Sequence, residues 1–162
     1  MTKQDPIAVA NLIIQTAIDN KQEMTNLYLQ KIMFFMQGYY LVHHHDKLFN
    51  ANFVKWDWGP SILKIYDLFR SDGASPITEI YRNAYFEKNR FVIKDIKLKD
   101  LSKAQKTELI KLIKQLLLIR PWQMLAEFKN IKANKQNYTV NEIKYCYQKL
   151  QQDYDLSLKK YD

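Results

Sequence analysis

The chain has 162 residues, 47% of them hydrophobic and 14% aromatic, with only 3 Gly and 4 Pro; this excludes a disordered tail and fits a single domain rich in long helices. The lone Cys146 excludes an intramolecular disulfide and a Cys-clustered zinc site. The net charge of +8 is uneven: residues 1–80 carry 7 Lys/Arg against 8 Asp/Glu, and residues 81–162 carry 18 against 9, so the whole excess lies in the second half.

The N-terminal stretch MTKQDPIAV has no basic leader or cleavage site, so a cytoplasmic protein without a membrane partner is expected. Asp5-Pro6 reads as N-cap and first helical residue, because proline lacks the amide hydrogen that would go unpaired there. The helix it opens is predicted over Pro6–Ile18, with Ile7, Ala10, Ile14, Ala17 and Ile18 on one face.

The run LYLQKIMFFMQGYYLV, Leu27–Val42, is apolar on nearly every side of a helix, with Gln30, Lys31 and Gln37 as its strongly polar residues. Such a helix must be wrapped by other elements. With Thr25 as N-cap it becomes the buried centre of the domain, over about residues 25–43. Gly38 within it marks close approach of a neighbouring backbone. At 100° per residue Asn26, Gln30 and Gln37 fall on one narrow seam, hydrogen-bonded to neighbouring loops or facing a partner. His43, His44 and His45 follow; adjacent side chains do not converge on one ion, so they read as the helix C-terminus and no metal is assigned.

Lys47–Trp58 is strand-like, with Val54, Trp56 and Trp58 on one face and Phe49, Ala51 and Phe53 on the other. Gly59-Pro60 is read as the end of that strand and the start of a helix over Ser61–Arg70, closed near Gly73. Ala84–Glu87 and Phe91–Leu98 can pair across Lys88-Asn89. Ser102 and Gln105 form a capping box before a helix reaching about Ile119, whose Leu109, Leu112, Ile113, Leu116 and Leu117 point inward. Lys103, Lys106, Lys111 and Lys114 on that helix are the candidate nucleic-acid patch, although Arg, the better phosphate fork, is scarce: Arg70, Arg82, Arg90 and Arg120 only. Pro121 restarts the helix, with Trp122, Leu125 and Phe128 anchoring a short element. Thr139 and Glu142 make a second capping box for a last helix whose Ile143, Tyr147, Leu150 and Tyr154 face the core; the tail frays after Asp155. The fold class is mainly α (α+β), with small β elements near 48–58 and 84–98.

GxGxxG, GxxxxGK[ST] and GxSxG are absent, and Asp57 and Asp67 stand without a His or second carboxylate at a catalytic spacing. The reading is a non-catalytic binding protein without a cofactor.

The segment NLYLQKIMFFMQGYYL, Asn26–Leu41, resembles the N-L-x-L-Q-K-L-L-[YF]-x-x-Q-[GA]-[YW]-x-L helix of the Panacea antitoxin domain family, also known as phage-associated proteins. Leu48-Phe49, Trp56, Gly59-Pro60, Tyr66 and Ser75–Ile77 follow in the family's order, making a family-like block of about residues 7–77. Departures occur: Ser61-Ile62-Leu63 replaces the usual Val and second Pro, Pro121-Trp122 stands upstream of the usual Pro-Trp, and no Thr-His pair occurs, so the basic half, 81–162, reads as diverged. The resemblance implies a single helical domain acting as the antitoxin of a type II or prophage-associated system. It would neutralise a toxin encoded by a neighbouring gene, by direct binding or by delivery to a protease. Trp56, Trp58 and Tyr66, with Gln30 and Gln37, are the candidate partner-binding residues.

Overall fold

A computed structural model describes residues 1–156. At its centre is a helix, α2 (Asn26–His43), in which every residue except Leu27, Val42 and His43 is buried. Thr25 caps it, its hydroxyl accepting from the Tyr28 amide at 3.2 Å. The rest of the chain wraps this rod: α1 (Pro6–Asp19), α3 (Leu63–Leu68), α4 (Lys103–Leu116), α5 (Pro121–Leu125) and α6 (Val140–Asp153) all pack against it. Phe34, fully buried, meets Phe53, Phe128 and Tyr138 edge-on from three separate segments, and the equally buried Phe35 stacks on Phe128.

The helix ends follow their local signals. Asp5 accepts from the Ile7 amide at 2.8 Å with Pro6 behind it. Ser102 with Gln105, and Thr139 with Glu142, form complete reciprocal capping boxes. Of the tail expected to fray after Asp155, Leu156 donates its amide to the Gln151 carbonyl at 3.1 Å, and the rest lies outside the described residues.

Gly38 is where α6 crosses α2. A Cβ placed on it would lie 2.4 Å from Tyr147 Cβ and 3.3 Å from the Ile143 carbonyl oxygen, so only glycine permits this separation. Tyr147 is fully buried there and pairs with His43 at 3.1 Å. His44 lies 3.0 Å from Glu108, which also accepts from the Tyr39 hydroxyl at 2.7 Å. His45 is exposed with φ 56°. The three rings thus diverge, the first two toward different helices.

Two antiparallel hairpins complete the fold. β1 (Val54–Trp56) pairs with β2 (Gly59–Ser61), Trp56 opposite Gly59, with Asp57 and Trp58 as the turn. This corrects two expectations: the strand is much shorter than 47–58, and Gly59-Pro60 forms its partner instead of opening a helix. Gly59 adopts φ 109°, which glycine accepts without a steric penalty. Pro60 is tolerated because the sheet has only two strands and its missing donor falls on an edge. α3 begins at Leu63, later than Ser61, and ends at Leu68. Gly73 has positive φ (58°), but its ψ of −128° lies outside the left-handed helical region, and it follows a one-turn 3-10 helix at Arg70–Asp72. β3 (Arg82–Glu87) and β4 (Arg90–Asp95) pair across Lys88-Asn89, both with positive φ (48° and 63°) as this tight turn requires. Their ribbon stands out from the body. Its stem is tied down by Asn11, which exchanges two 2.8 Å hydrogen bonds with the Tyr81 backbone, and by Gln4, which does the same with Lys99.

Candidate functional site: an aromatic surface carried by the central helix

The polar seam of α2 faces the chain's own loops. Gln37 Nε2 donates to the Phe49 carbonyl at 2.8 Å, while its Oε1 accepts from the Leu48 and Phe49 amides at 2.9 and 3.3 Å. Gln30 Oε1 accepts from the Ile62 amide at 2.8 Å, and its Nε2 donates to Asn26, which itself donates to the Tyr66 carbonyl at 2.9 Å. Gln30 is 0% and Gln37 1% exposed. Direct contact of these two amides with a partner does not fit this geometry, since both ends of each are engaged below the surface. Their effect is positional. Ile62, the residue before α3, has no side-chain cap of its own; Gln30 holds its amide from beneath, and the seam clamps β2 and α3 onto α2.

What the clamp supports is aromatic. Trp56 contacts Trp58 with ring centroids 5.2 Å apart and Tyr66 at 5.1 Å, both edge-on. Trp56 and Tyr66 are half-buried, and Trp58 is 44% exposed. The three side chains expected to act together therefore form one surface cluster. The other edge of β1 is pinned by the loop before α6: the Lys55 amide donates to the Gln136 carbonyl at 2.8 Å, and Tyr138 to Phe53 at 2.8 Å. Lys55 Nζ also reaches Glu142 at 2.9 Å.

Beside Trp56 lies an open groove of about 600 Å³, walled across from it by Trp122, Leu125 and Phe128 and bordered by Asp57, Lys129 and Lys132. Trp122 is 73% exposed. The expectation that Trp122 and Leu125 anchor a short element is thus corrected; Met124 and Phe128 are the buried hydrophobic residues there. Trp122 was the residue sequence reasoning missed. No periodic signal marked it, since α5 is only five residues long and does not fix which of its sides faces the core.

The remaining candidates lie elsewhere. Lys103, Lys106, Lys111 and Lys114 are all exposed on the outer face of α4, whose inner face carries Leu109, Leu112, Ile113 and Leu116. A second apolar surface occurs at the β3–β4 tip, where Phe86 and Phe91 meet edge-on at 5.5 Å. Among the described residues no group of three or more His, Cys, Asp or Glu side chains is placed to hold a metal, and no helix is long and apolar enough to cross a membrane.

A family model described as "Antitoxin SocA-like, Panacea domain" matches residues 29–127, running from within α2 through both hairpins to the end of α5. The match therefore extends well past the block legible at 7–77 and into the basic half. The chain is also 34% identical over 92 residues to Antitoxin SocA of Caulobacter vibrioides (strain NA1000 / CB15N), an alignment covering 57% of this chain and 44% of that protein. It spans less than half of that relative's length, and no solved structure matches it. With the matched region covering most of α2, its clamped hairpin and Trp122, the chain belongs to the SocA-like antitoxin family defined by the Panacea domain.

Proposed function

We propose that this protein neutralises a protein toxin encoded by a neighbouring gene, binding it through the surface formed by Trp56, Trp58, Tyr66 and Trp122. The observation that carries this reading is the partly exposed Trp56–Trp58–Tyr66 cluster, continuous through a groove with Trp122. Trp and Tyr offer large contact area with few rotors to immobilise, which is why they dominate binding energy at protein interfaces. The name of the Caulobacter relative, an antitoxin, supports the same reading. Gln30 and Gln37 contribute from behind, by holding the hairpin and α3 in place.

Binding is the step common to masking a toxin and delivering it to a protease. Co-expression with the product of the adjacent reading frame should restore growth. Toxin that accumulates in a co-purifying complex indicates masking; toxin that disappears until proteolysis is blocked indicates delivery. Trp58→Ala should abolish rescue while circular dichroism and the melting temperature stay unchanged, because the side chain lies largely outside the core. Rescue that survives Trp58→Ala and Trp122→Ala together would overturn the assignment of this surface.

A further inference from the structure

Lys31 projects from α2 one turn after Leu27 and is 4% exposed. Its ammonium donates a single hydrogen bond, 3.3 Å to the Leu27 carbonyl of its own helix, and no carboxylate pairs with it among the described residues. An ammonium taken from water without a counter-charge is costly to the fold, and burial alone draws its pKa down to about 8. A thioether of similar length would fill the same space without that cost.

The position of this uncompensated charge is informative. A Cβ placed on Gly59 would lie 3.3 Å from Lys31 Cε and 3.5 Å from Phe128 Cδ2. Gly59 is the register partner of Trp56, and Trp56 and Phe128 are walls of the groove. Lys31 therefore lies directly behind the aromatic surface, on a flexible four-carbon stem that can carry its ammonium outward. Among the described residues Asp57 is the one carboxylate lining the groove, against Lys129 and Lys132, so with Lys31 the local balance is positive. Lys129 also feels Asp153; Lys31 has no such neighbour among the described residues.

We propose that Lys31 and the Trp56–Trp122 groove together form a docking site for an acidic, apolar segment of the protein partner: a large apolar side chain fills the groove, and an adjacent Asp or Glu carboxylate pairs with the Lys31 ammonium. The inference rests on the assignment of this surface to partner binding. It adds the chemistry of what binds there. The free protein holds a charge at a loss to its own stability, and the complex supplies the missing counter-charge. Function and stability then oppose one another at a single residue.

The test uses the full-length chain and the product of the adjacent reading frame, with affinity measured by calorimetry and folding by thermal melting. Lys31→Met should raise the melting temperature of the free protein and weaken binding by roughly 10- to 100-fold, the range for losing a hydrogen bond to a charged group. The loss should vanish against a toxin variant in which the matching carboxylate is changed to its amide, as a double-mutant cycle requires for a direct pair. A lowered melting temperature, or an unchanged affinity, overturns the proposal. Should Trp58→Ala weaken binding while Lys31→Met does not, the carboxylate inference fails and the surface assignment stands. If neither weakens it, the surface assignment itself fails.

Discussion

Gly38→Ala pits helix propensity against packing, and the structure decides the sign. On propensity alone alanine should stabilise the middle of α2 by about 1 kcal/mol. The new methyl, however, would stand 2.4 Å from Tyr147 Cβ and 3.1 Å from its Cγ, well inside the roughly 3.5–4.0 Å at which carbon atoms rest. Tyr147 Cβ is fixed to the α6 backbone, so no rotamer change relieves the contact. Its ring is also held, 6.0 Å from Tyr39 and 5.7 Å from His43 between centroids, with its hydroxyl against His43. Relief requires α6 to move away from α2, across the most extensive helix pair of the core. Overpacking of this kind costs about 1–3 kcal/mol and occasionally more. Because the clash is backbone-borne, the upper part of that range applies, and a net loss of about 1–2 kcal/mol remains after the propensity gain. For a domain of this size that lowers the melting temperature by roughly 2–8 °C. Urea denaturation should show a reduced midpoint with an unchanged slope. A variant as stable as the parent, or more so, would refute the packing geometry of α2 and α6.

Further outcomes follow from the seam and the buried charge. Gln37→Leu strands the Leu48 and Phe49 amides and the Phe49 carbonyl, and should cost at least about 3 kcal/mol by denaturant unfolding, from a penalty of about 1–3 kcal/mol for each of the three unsatisfied buried groups. Phe35→Ala, at a fully buried ring stacked on Phe128, should cost about 3–5 kcal/mol. Lys31 has its folded pKa depressed to about 8 from 10.5, so the unfolded chain binds more protons between those values and stability rises with pH there. Its burden, about 3 kcal/mol at most, is fully present below pH 8 and disappears as pH approaches 10.5. The stability gap between Lys31→Met and the parent should therefore close across that window. Subtracting the two proteins removes the opposing trend of Cys146 and the buried tyrosines, whose raised pKa values make the fold lose stability at high pH.

What the sequence made legible was local chemistry. Asp5-Pro6, Thr25, Ser102 with Gln105, and Thr139 with Glu142 mark helix starts because each cap satisfies amides within its own first turn. The apolar run of α2 demanded burial, and Gly38 demanded close approach, whatever partner supplied it. Lys88-Asn89 announced a hairpin, yet alternation could not say that Phe86, Phe91 and Ile93 would stay exposed, since that depends on what packs nearby. Gly59-Pro60 misled because strand pairing is settled by contacts with α2 that no window of neighbours contains. The same holds for Gln30 and Gln37: their common face was visible, but their acceptors and donors at Phe49 and Ile62 are tertiary. Trp122 was assigned inward on a helix of only five residues, too short for periodicity to fix which side faces the core. The site was thus half legible, its three clustered aromatics named and its opposite wall missed.

The central claim is that the partner sits on the surface shared by β1, β2, α3 and α5. Amide hydrogen exchange of the full-length protein, alone and saturated with the product of the adjacent reading frame, tests it most directly. The account predicts added protection at 54–66 and 121–133, with exchange unchanged along the exposed face of α4 and at the β3–β4 tip. Protection confined to Lys103–Lys114 or to Phe86–Phe91, with the Trp56–Trp122 groove exchanging as in the free protein, would contradict it.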